Sequence, residues 1–527
     1  MNINGLTSKV KFSTKATMIL LSVVLMTCLS VSRSARILYV FSIPSNSHLA
    51  VHQSISAHLS LRGHQVTTLT PNSIKNPNLI NLTEFEFPTL REITAKYHDR
   101  TLGMSKDNFL FSTLLYGTKY YGELVEEVLN RSQTIFQNAS TSFDLVIVEN
   151  LHPLMYSFGC RFKVPIIGVS SLALPFFAQD AVGNPSHPEI LLEPRMQLTK
   201  NVGLYKKFVL LFYKIWMRLF ASLYALPQYD KKTNKYFGND CPYIGDILKN
   251  VSLVLTSANP VVHPVRPNVP AIVEMQQIHT RPTKPLPHDL QMFLDDSPRG
   301  VVYFSLGSNI NSCNLSHSLR ETITEALTEL PYNVLWKWDV DHLPDRSGNV
   351  MARKWLPQQD VLSHKNIKAF VTQGGLQSIE EAIIHGVPVV GMPFFLDQPM
   401  NVMHLVQMGV AQSIDHTIMT KNELKEVIIE VASNETYRTN ARRLRDVLMD
   451  QPVSGLDKTI WWIEHAIRHK GAKHLRCPKV DISWSEYFLL DVVFVALVFG
   501  GVVSCSVILS FKTVKILIVN RIPRNKN

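Results

Sequence analysis

Two short turns and one histidine have the residue types for chemistry on a phosphorylated substrate. The turns are Ser305-Leu306-Gly307-Ser308 and Thr372-Gln373-Gly374-Gly375. Each follows an apolar, β-branched run, and the second precedes a helical pattern carrying Glu380 and Glu381. A strand-to-helix turn offers free backbone N–H groups and the positive end of the helix dipole to an anion. Glycine lets the backbone approach a diphosphate closely. Such turns are common, so neither is decisive alone. His48 follows the first strand-like run, at the start of a helical pattern. Histidine there suits a base that takes a proton from a hydroxyl near neutral pH. A helix-capping or surface histidine fits the same position, and His52, His58 and His64 lie close by.

The elements that must position these residues read as two α/β series. Ile37–Phe41 is a buried-type strand, followed by a loop and a helix with Val51, Ile55 and Leu59 at four-residue spacing. Gly63 stops that helix, and Val66–Leu69 begins the next strand. Further strands are expected at Leu145–Val148 and Pro165–Val169. Pro282, Pro285, Pro287 and Pro298 mark a linker. After it come strands at 301–304, 333–336, 367–371 and 387–390, alternating with helices at 319–330, 375–384 and 423–431. Alternation of this kind predicts parallel sheets, hence two Rossmann-like doubly wound domains facing a cleft.

Composition bounds the partners. Apolar residues make up 46% of the 527, ample for large cores. The net charge of +11 is concentrated at the ends. Residues 1–35 and 512–527 contain no acid and supply nine of the eleven charges. The body is near neutral, which argues against nucleic acid. Met18–Val31, preceded by lysines and followed by Ser32, Ser34 and Ala35, reads as a secretory signal. Val492–Phe511 is uncharged, long enough to span a bilayer, and followed by a basic tail. The positive-inside rule then places the body in the lumen. Six sequons agree, at Asn81, Asn130, Asn138, Asn250, Asn314 and Asn434. Cys160, Cys241, Cys313 and Cys477 lack metal-ligand spacing, so no metal is expected, and their pairing is open. Residues 204–226 form a basic, apolar helical run. It suits either a membrane surface or a packed helix with outward cations.

The segment from Trp355 to Asn401 is the most specific in the chain. It resembles the signature of the UDP-glycosyltransferase family at Trp355-Leu356-Pro357-Gln358, His364, Gly374-Gly375, Glu381, Gly386-Val387-Pro388 and Asp397-Gln398. Ser305–Ser308, Arg62-Gly63-His64, Trp461–Glu464 and Arg468–Gly471 extend the likeness along the chain.

The resemblance implies a GT-B arrangement and a donor site. Trp355 would stack on uracil, Gln358 would bond the uridine, and Glu381 the ribose hydroxyls. Ser308, Gln373, Gly375 and Gln377 would meet the diphosphate, and Asp397 and Gln398 the sugar hydroxyls. His48 matches the family's catalytic base, and Glu149, where many relatives have aspartate, its orienting partner; Asp144 is the fallback. Gln373 stands where the family usually has histidine, and Leu396 where it often has glycine. Glutamine at 373 resembles insect members.

The plan implied is a signal over 1–35, an acceptor domain over 36–280, a linker over 281–298 and a donor domain over 299–486. A transmembrane helix over 487–511 and a cytosolic tail over 512–527 complete it. The expected protein is a single-pass enzyme of the endoplasmic reticulum. It would move a hexosyl group, glucose before glucuronate, from a UDP-sugar to a small lipophilic acceptor. The UDP-sugar is a co-substrate, so no cofactor is expected. A homo-oligomer is left open. The rival reading is a lipophile carrier with a degenerate site, supported only by Gln373 and Glu149.

Overall fold

The computed structural model describes residues 34–103, 110–137, 142–186, 203–310, 315–339 and 348–521. All but the last two residues of the expected signal, with Cys313, Asn138 and Asn314, lie outside them; Ala35 is buried and its N–H donates to His64. Two all-parallel sheets dominate. The first holds β1 (Arg36–Val40), β2 (Gln65–Thr70), β3 (Leu82–Glu86), β4 (Leu145–Glu149), β5 (Ile166–Ser170), β6 (Leu253–Thr256) and β7 (Ile272–Glu274). Their order is β3-β2-β1-β4-β5-β6-β7. The second holds β8 (Val301–Ser305), β9 (Asn333–Lys337), β10 (Val350–Arg353), β11 (Ile367–Thr372), β12 (Val389–Gly391) and β13 (Ala411–Ser413), ordered β10-β9-β8-β11-β12-β13. Both orders are doubly wound: strand order reverses between β1 and β4, and again between β8 and β11.

Strand alternation explains the layers. Ile37, Tyr39 and Phe41 point into one core with Val51, Ile55 and Leu59 of helix α1 (Asn46–Leu61). Leu38 and Val40 point into the opposite core. Both faces are covered, so β4 and β8 are buried at every position. Sheet two repeats the scheme, with Val301 and Tyr303 on one side and Val302 and Phe304 on the other.

Two regions depart from the expected domain plan. Within 281–298, His288–Asp295 is a helix, and its Leu290 and Leu294 are buried in the core of the second sheet. The prolines flank this helix without entering it, so they punctuate the segment without unfolding it. The body expected over 299–486 is also not self-contained. Helix α2 (Leu376–Ile384) belongs to sheet two, but helix α3 (Gly455–Arg468) returns to sheet one, burying Ile460, Ile463 and Ala466 beside α1. Arg62 grips Glu464 through two hydrogen bonds of 3.1 Å, and His64 lies 3.4 Å from the same carboxylate. Gly455 permits the close approach: a Cβ there would sit 1.8 Å from the Gln276 carbonyl oxygen.

Cys160 and Cys241 form a disulfide, and Cys477 and Cys505 are free among the described residues. Leu204–Phe237 is helical throughout, with a π-turn at Ala221–Ala225. One face buries Leu210, Tyr213 and Met217, while Tyr205, Phe208, Phe212 and Leu223 are exposed. The run therefore combines packing with an open apolar face. Leu490–Arg521 is one apolar helix with a candidate membrane span at Leu490–Ile518. Lys512 and Lys515, expected in a tail, lie within it.

Candidate active site

Both reversals of strand order carry the residues singled out from the sequence. At the first, α1 places His48 beyond the end of β1, and Glu149 is the last residue of β4. His48 Nδ1 lies 3.0 Å from Glu149 Oε1 and 2.8 Å from Ser171 Oγ. Neither contact uses Nε2, and both hold the ring by the nitrogen nearer the backbone. The other oxygen of Glu149 accepts from the backbone N–H groups of Ser42 (2.8 Å) and Ile43 (3.0 Å). Burial would raise the Glu149 pKa, but the imidazoles of His48 and His52 outweigh it and hold the group well below the usual carboxylate range. Asp144 sits at the other end of β4 and accepts from Arg36 N, away from His48.

At the second reversal, the turns after β8 and β11 lie side by side. Gly307 has φ +75°, a backbone that side-chain-bearing residues rarely adopt, and a Cβ there would displace the flexible end of Gln373, whose Nε2 lies 2.4 Å from that position. Gly374 (φ +82°) is confined, with its Cβ position 2.4 Å from Val402 Cγ2. Gly375 caps α2 at its N-terminus. Ser308 is exposed on the neighbouring turn. Gln373 Oε1 accepts from Gln398 Nε2 at 3.1 Å, and Gln398 Oε1 accepts from Phe394 N and Phe395 N. Gln398 therefore braces the loop that carries Asp397. Leu396 in that loop has φ +56°, a conformation glycine adopts freely and leucine does not. Asp397 bonds Asn401 at 2.7 Å, and burial raises its pKa.

Glu381, on α2, is tightly held. Gln358 Nε2 donates to one oxygen at 2.7 Å and Gln359 Nε2 to the other at 3.1 Å. His279 Nε2 stands 3.4 Å away. Burial opposes ionisation of Glu381, and His279 and the two glutamines reverse that, leaving its pKa lowered. Glu380 has no such help. Burial pushes its pKa up to about 7 despite His279 at 3.6 Å. Trp355 is 65% exposed, its indole free to receive a flat ring.

The two units meet here. Gln377 Nε2 donates to the Ser171 carbonyl at 3.1 Å, and Ser45 Oγ donates to Asn309 Oδ1 at 3.0 Å. Ser171 thus touches both His48 and the helix that begins at Gly375. Sequence reasoning missed Ser171, Gln359, His279 and the paired N–H groups on Glu149. Only tertiary folding brings these together. His52 was visible as a signal, since it lies one helical turn from His48.

The comparisons with known proteins bear on the family and the fold. Residues 38–523 match the family described as UDP-glucoronosyl and UDP-glucosyl transferase. The chain belongs to this family. It is 32% identical over 473 residues to UDP-glycosyltransferase UGT5 of Dactylopius coccus, covering 88% of this chain and 89% of that one. It is 30% identical over 505 residues to UDP-glucuronosyltransferase 2B7 of Homo sapiens, covering 91% and 93%. The solved structure of TcCGT1 in complex with UDP shares the fold, with a TM-score of 0.56, 15% identity, and coverage of 83% of this chain and 100% of that one. As a member of the family, the chain is a UDP-glycosyltransferase of GT-B fold, an enzyme that takes a hexosyl group from a UDP-sugar.

Proposed function

We propose that this enzyme transfers glucose from UDP-glucose, with inversion, to a hydroxyl of a small lipophilic acceptor, and that His48 is the base. The observation that carries this reading is the hold of Glu149 and Ser171 on His48 Nδ1, at 3.0 and 2.8 Å, beside the contact with the donor unit. With Nδ1 engaged, Nε2 is the nitrogen left to take the acceptor proton. The acceptor oxygen bonds to the anomeric carbon as the bond to the diphosphate breaks, and UDP departs. Glu149 stabilises the imidazolium that forms. The N–H groups at the start of α2 and its dipole receive the charge on the diphosphate, so the step needs no metal or cofactor.

Trp355 would stack on uracil, with Gln358 on the uridine and Glu381 on the ribose. Ser308, Gln373, Gly375 and Gln377 would line the diphosphate, and Asp397 and Gln398 the sugar. Glucose is favoured over glucuronate because Gln373 stands where the family usually has histidine, so this turn offers a sugar carboxylate a neutral amide and no cation. The exposed face with Tyr205, Phe208 and Phe212 would rest on the endoplasmic reticulum membrane that Leu490–Ile518 crosses, with both sheets lumenal.

The test is His48→Ala in microsomal enzyme with a panel of UDP-sugars. Turnover should fall by about 10²–10⁴-fold while UDP affinity holds. Surviving turnover removes His48 as the base, and preference for UDP-glucuronate overturns the donor assignment.

A further inference from the structure

His48 is not the only imidazole on Glu149. One turn along α1, His52 is fully buried, and its Nε2 lies 3.4 Å from Glu149 Oε1, the oxygen that also faces His48. Its other nitrogen, Nδ1, is 2.8 Å from the Tyr39 hydroxyl. The ring stacks on Phe41 with centroids 5.1 Å apart and meets Tyr39 edge-on. Nothing in base catalysis by His48 and Glu149 alone requires a second histidine or a tyrosine in this core.

The protonation pattern follows from the partners. Tyr39 is buried, and burial together with the nearby Glu149 charge pushes its pKa well above the ordinary value. Its O–H therefore stays protonated and donates to Nδ1. A neutral His52 whose Nδ1 accepts must carry its proton on Nε2, which makes no hydrogen bond and stands 3.4 Å from Glu149 Oε1. Other ionisable groups near α1 are engaged elsewhere. Glu464 of α3 is taken by Arg62 and His64 at the far end of α1, and Asp397 bonds Asn401 on the His48 side.

We propose that His52, oriented by Tyr39, is a positioning residue that shares the charge of Glu149 Oε1 with His48 and so sets the pH at which the base becomes free. This rests on the reading of His48 as the base. A hydrogen bond joins the Tyr39 hydroxyl to the His52 ring, a 3.4 Å contact outside hydrogen-bond geometry links His52 Nε2 to Glu149 Oε1, and a hydrogen bond links that oxygen to His48. An N–H dipole 3.4 Å from the shared oxygen reduces what that oxygen gives to a protonated His48. Without it, the carboxylate favours the imidazolium more strongly, and deprotonation requires a higher pH.

The experiment measures the pH profile of kcat/KM for the full chain in microsomes, with UDP affinity as the check on folding. His52→Leu removes the donor, and the acid limb should move up by about half to one pH unit. Tyr39→Phe should move it the same way by less. His52→Gln can still accept from Tyr39 and donate to Glu149, so it should return the limb to its wild-type position. A purely structural role would lower kcat at every pH and leave the limb in place, and that result overturns the proposal. A limb that moves equally in His52→Gln and His52→Leu also overturns it, because bulk would then be the cause. If His52→Leu loses UDP binding, the Tyr39→Phe and His52→Gln profiles decide by the same criteria. Turnover surviving in His48→Ala would instead strike the underlying reading, so the two failures are distinguishable.

Discussion

The two sheets reverse strand order in the same way and place different chemistry at the reversal. Beyond β1 and β4 stand imidazoles and a carboxylate: His48, His52 and Glu149, closed in by Tyr39 and Ser171. Beyond β8 and β11 stand glycines and amides: Gly307, Gly374, Gln373, Gln377 and Gln398, with the carboxylates of Glu380 and Glu381 set back along α2. Topology supplies the crevice in both cases. Side chains decide whether it is lined by titratable groups or by glycines and amides. Variants in the first crevice should therefore act on turnover, and variants in the second on donor affinity.

The largest effect is expected from Glu149→Ala. It removes the partner of two imidazoles and leaves the buried Ser42 and Ile43 N–H groups without an acceptor. Turnover should fall by about 10²-fold or more, with about 1–3 kcal/mol of stability lost for each stranded donor. UDP affinity, measured by calorimetry, should stay within a few-fold. A primary loss of UDP binding would erase the division of labour.

Gly374→Ala probes the other crevice. Alanine at φ +82° costs about 1–2 kcal/mol, and its Cβ would collide with Val402 Cγ2. The turn must shift off the start of α2, so UDP affinity should drop about ten-fold or more while the acid limb of the residual activity stays put. Adding Val402→Ala removes the colliding methyl and should recover part of the affinity. If the double variant is no better, displacement of the turn is not the cause.

The carboxylates sharpen the contrast through pH. Glu149 has a depressed folded pKa, so its stabilisation is present above its ordinary value and is lost as pH falls through the folded one. Glu380 has the opposite sign, raised from 4.5 to about 7. Below about 4.5 the folded and unfolded chains both keep its proton, and no penalty exists. Between there and about 7 the unfolded chain ionises first, so stability falls as pH rises. Glu380→Gln should therefore raise Tm progressively over that window and level off above it. Glu149→Gln should lower Tm most at neutral pH. Curves of the same sign in thermal melts would refute this.

The first crevice was less legible in the sequence than the second, for a physical reason. Turns such as Thr372–Gly375 are local: strand, glycine and helix start are contiguous, so the pattern exposes them. His48 and Glu149 are 101 residues apart and meet only because β1 and β4 pair, so the family likeness, not spacing, linked them. His52 was passed over as one of several histidines, although its four-residue offset from His48 puts both on one face of α1. The helix His288–Asp295 was hidden by the prolines around it, and the return of α3 to sheet one had no local signal.

The smallest expected effect comes from making the second crevice resemble the first. Gln373 packs against Gly307 and accepts from Gln398, and it adds no charge where the family usually has histidine. Gln373→His keeps a ring nitrogen for Gln398 and adds a group that can become cationic. An imidazolium beside a diphosphate gains from charge pairing, and neutral imidazole offers no more than the amide it replaces. UDP affinity should thus rise a few-fold below about pH 6.5 and match wild type at pH 8. The wild-type curve carries the titrations of Glu380, at about 7, and of the UDP phosphate, so the quantity to read is the ratio of variant to wild-type affinity at each pH. A ratio that stays flat with pH would show that a cation at position 373 does not reach the diphosphate, and would remove this turn as the anion's seat.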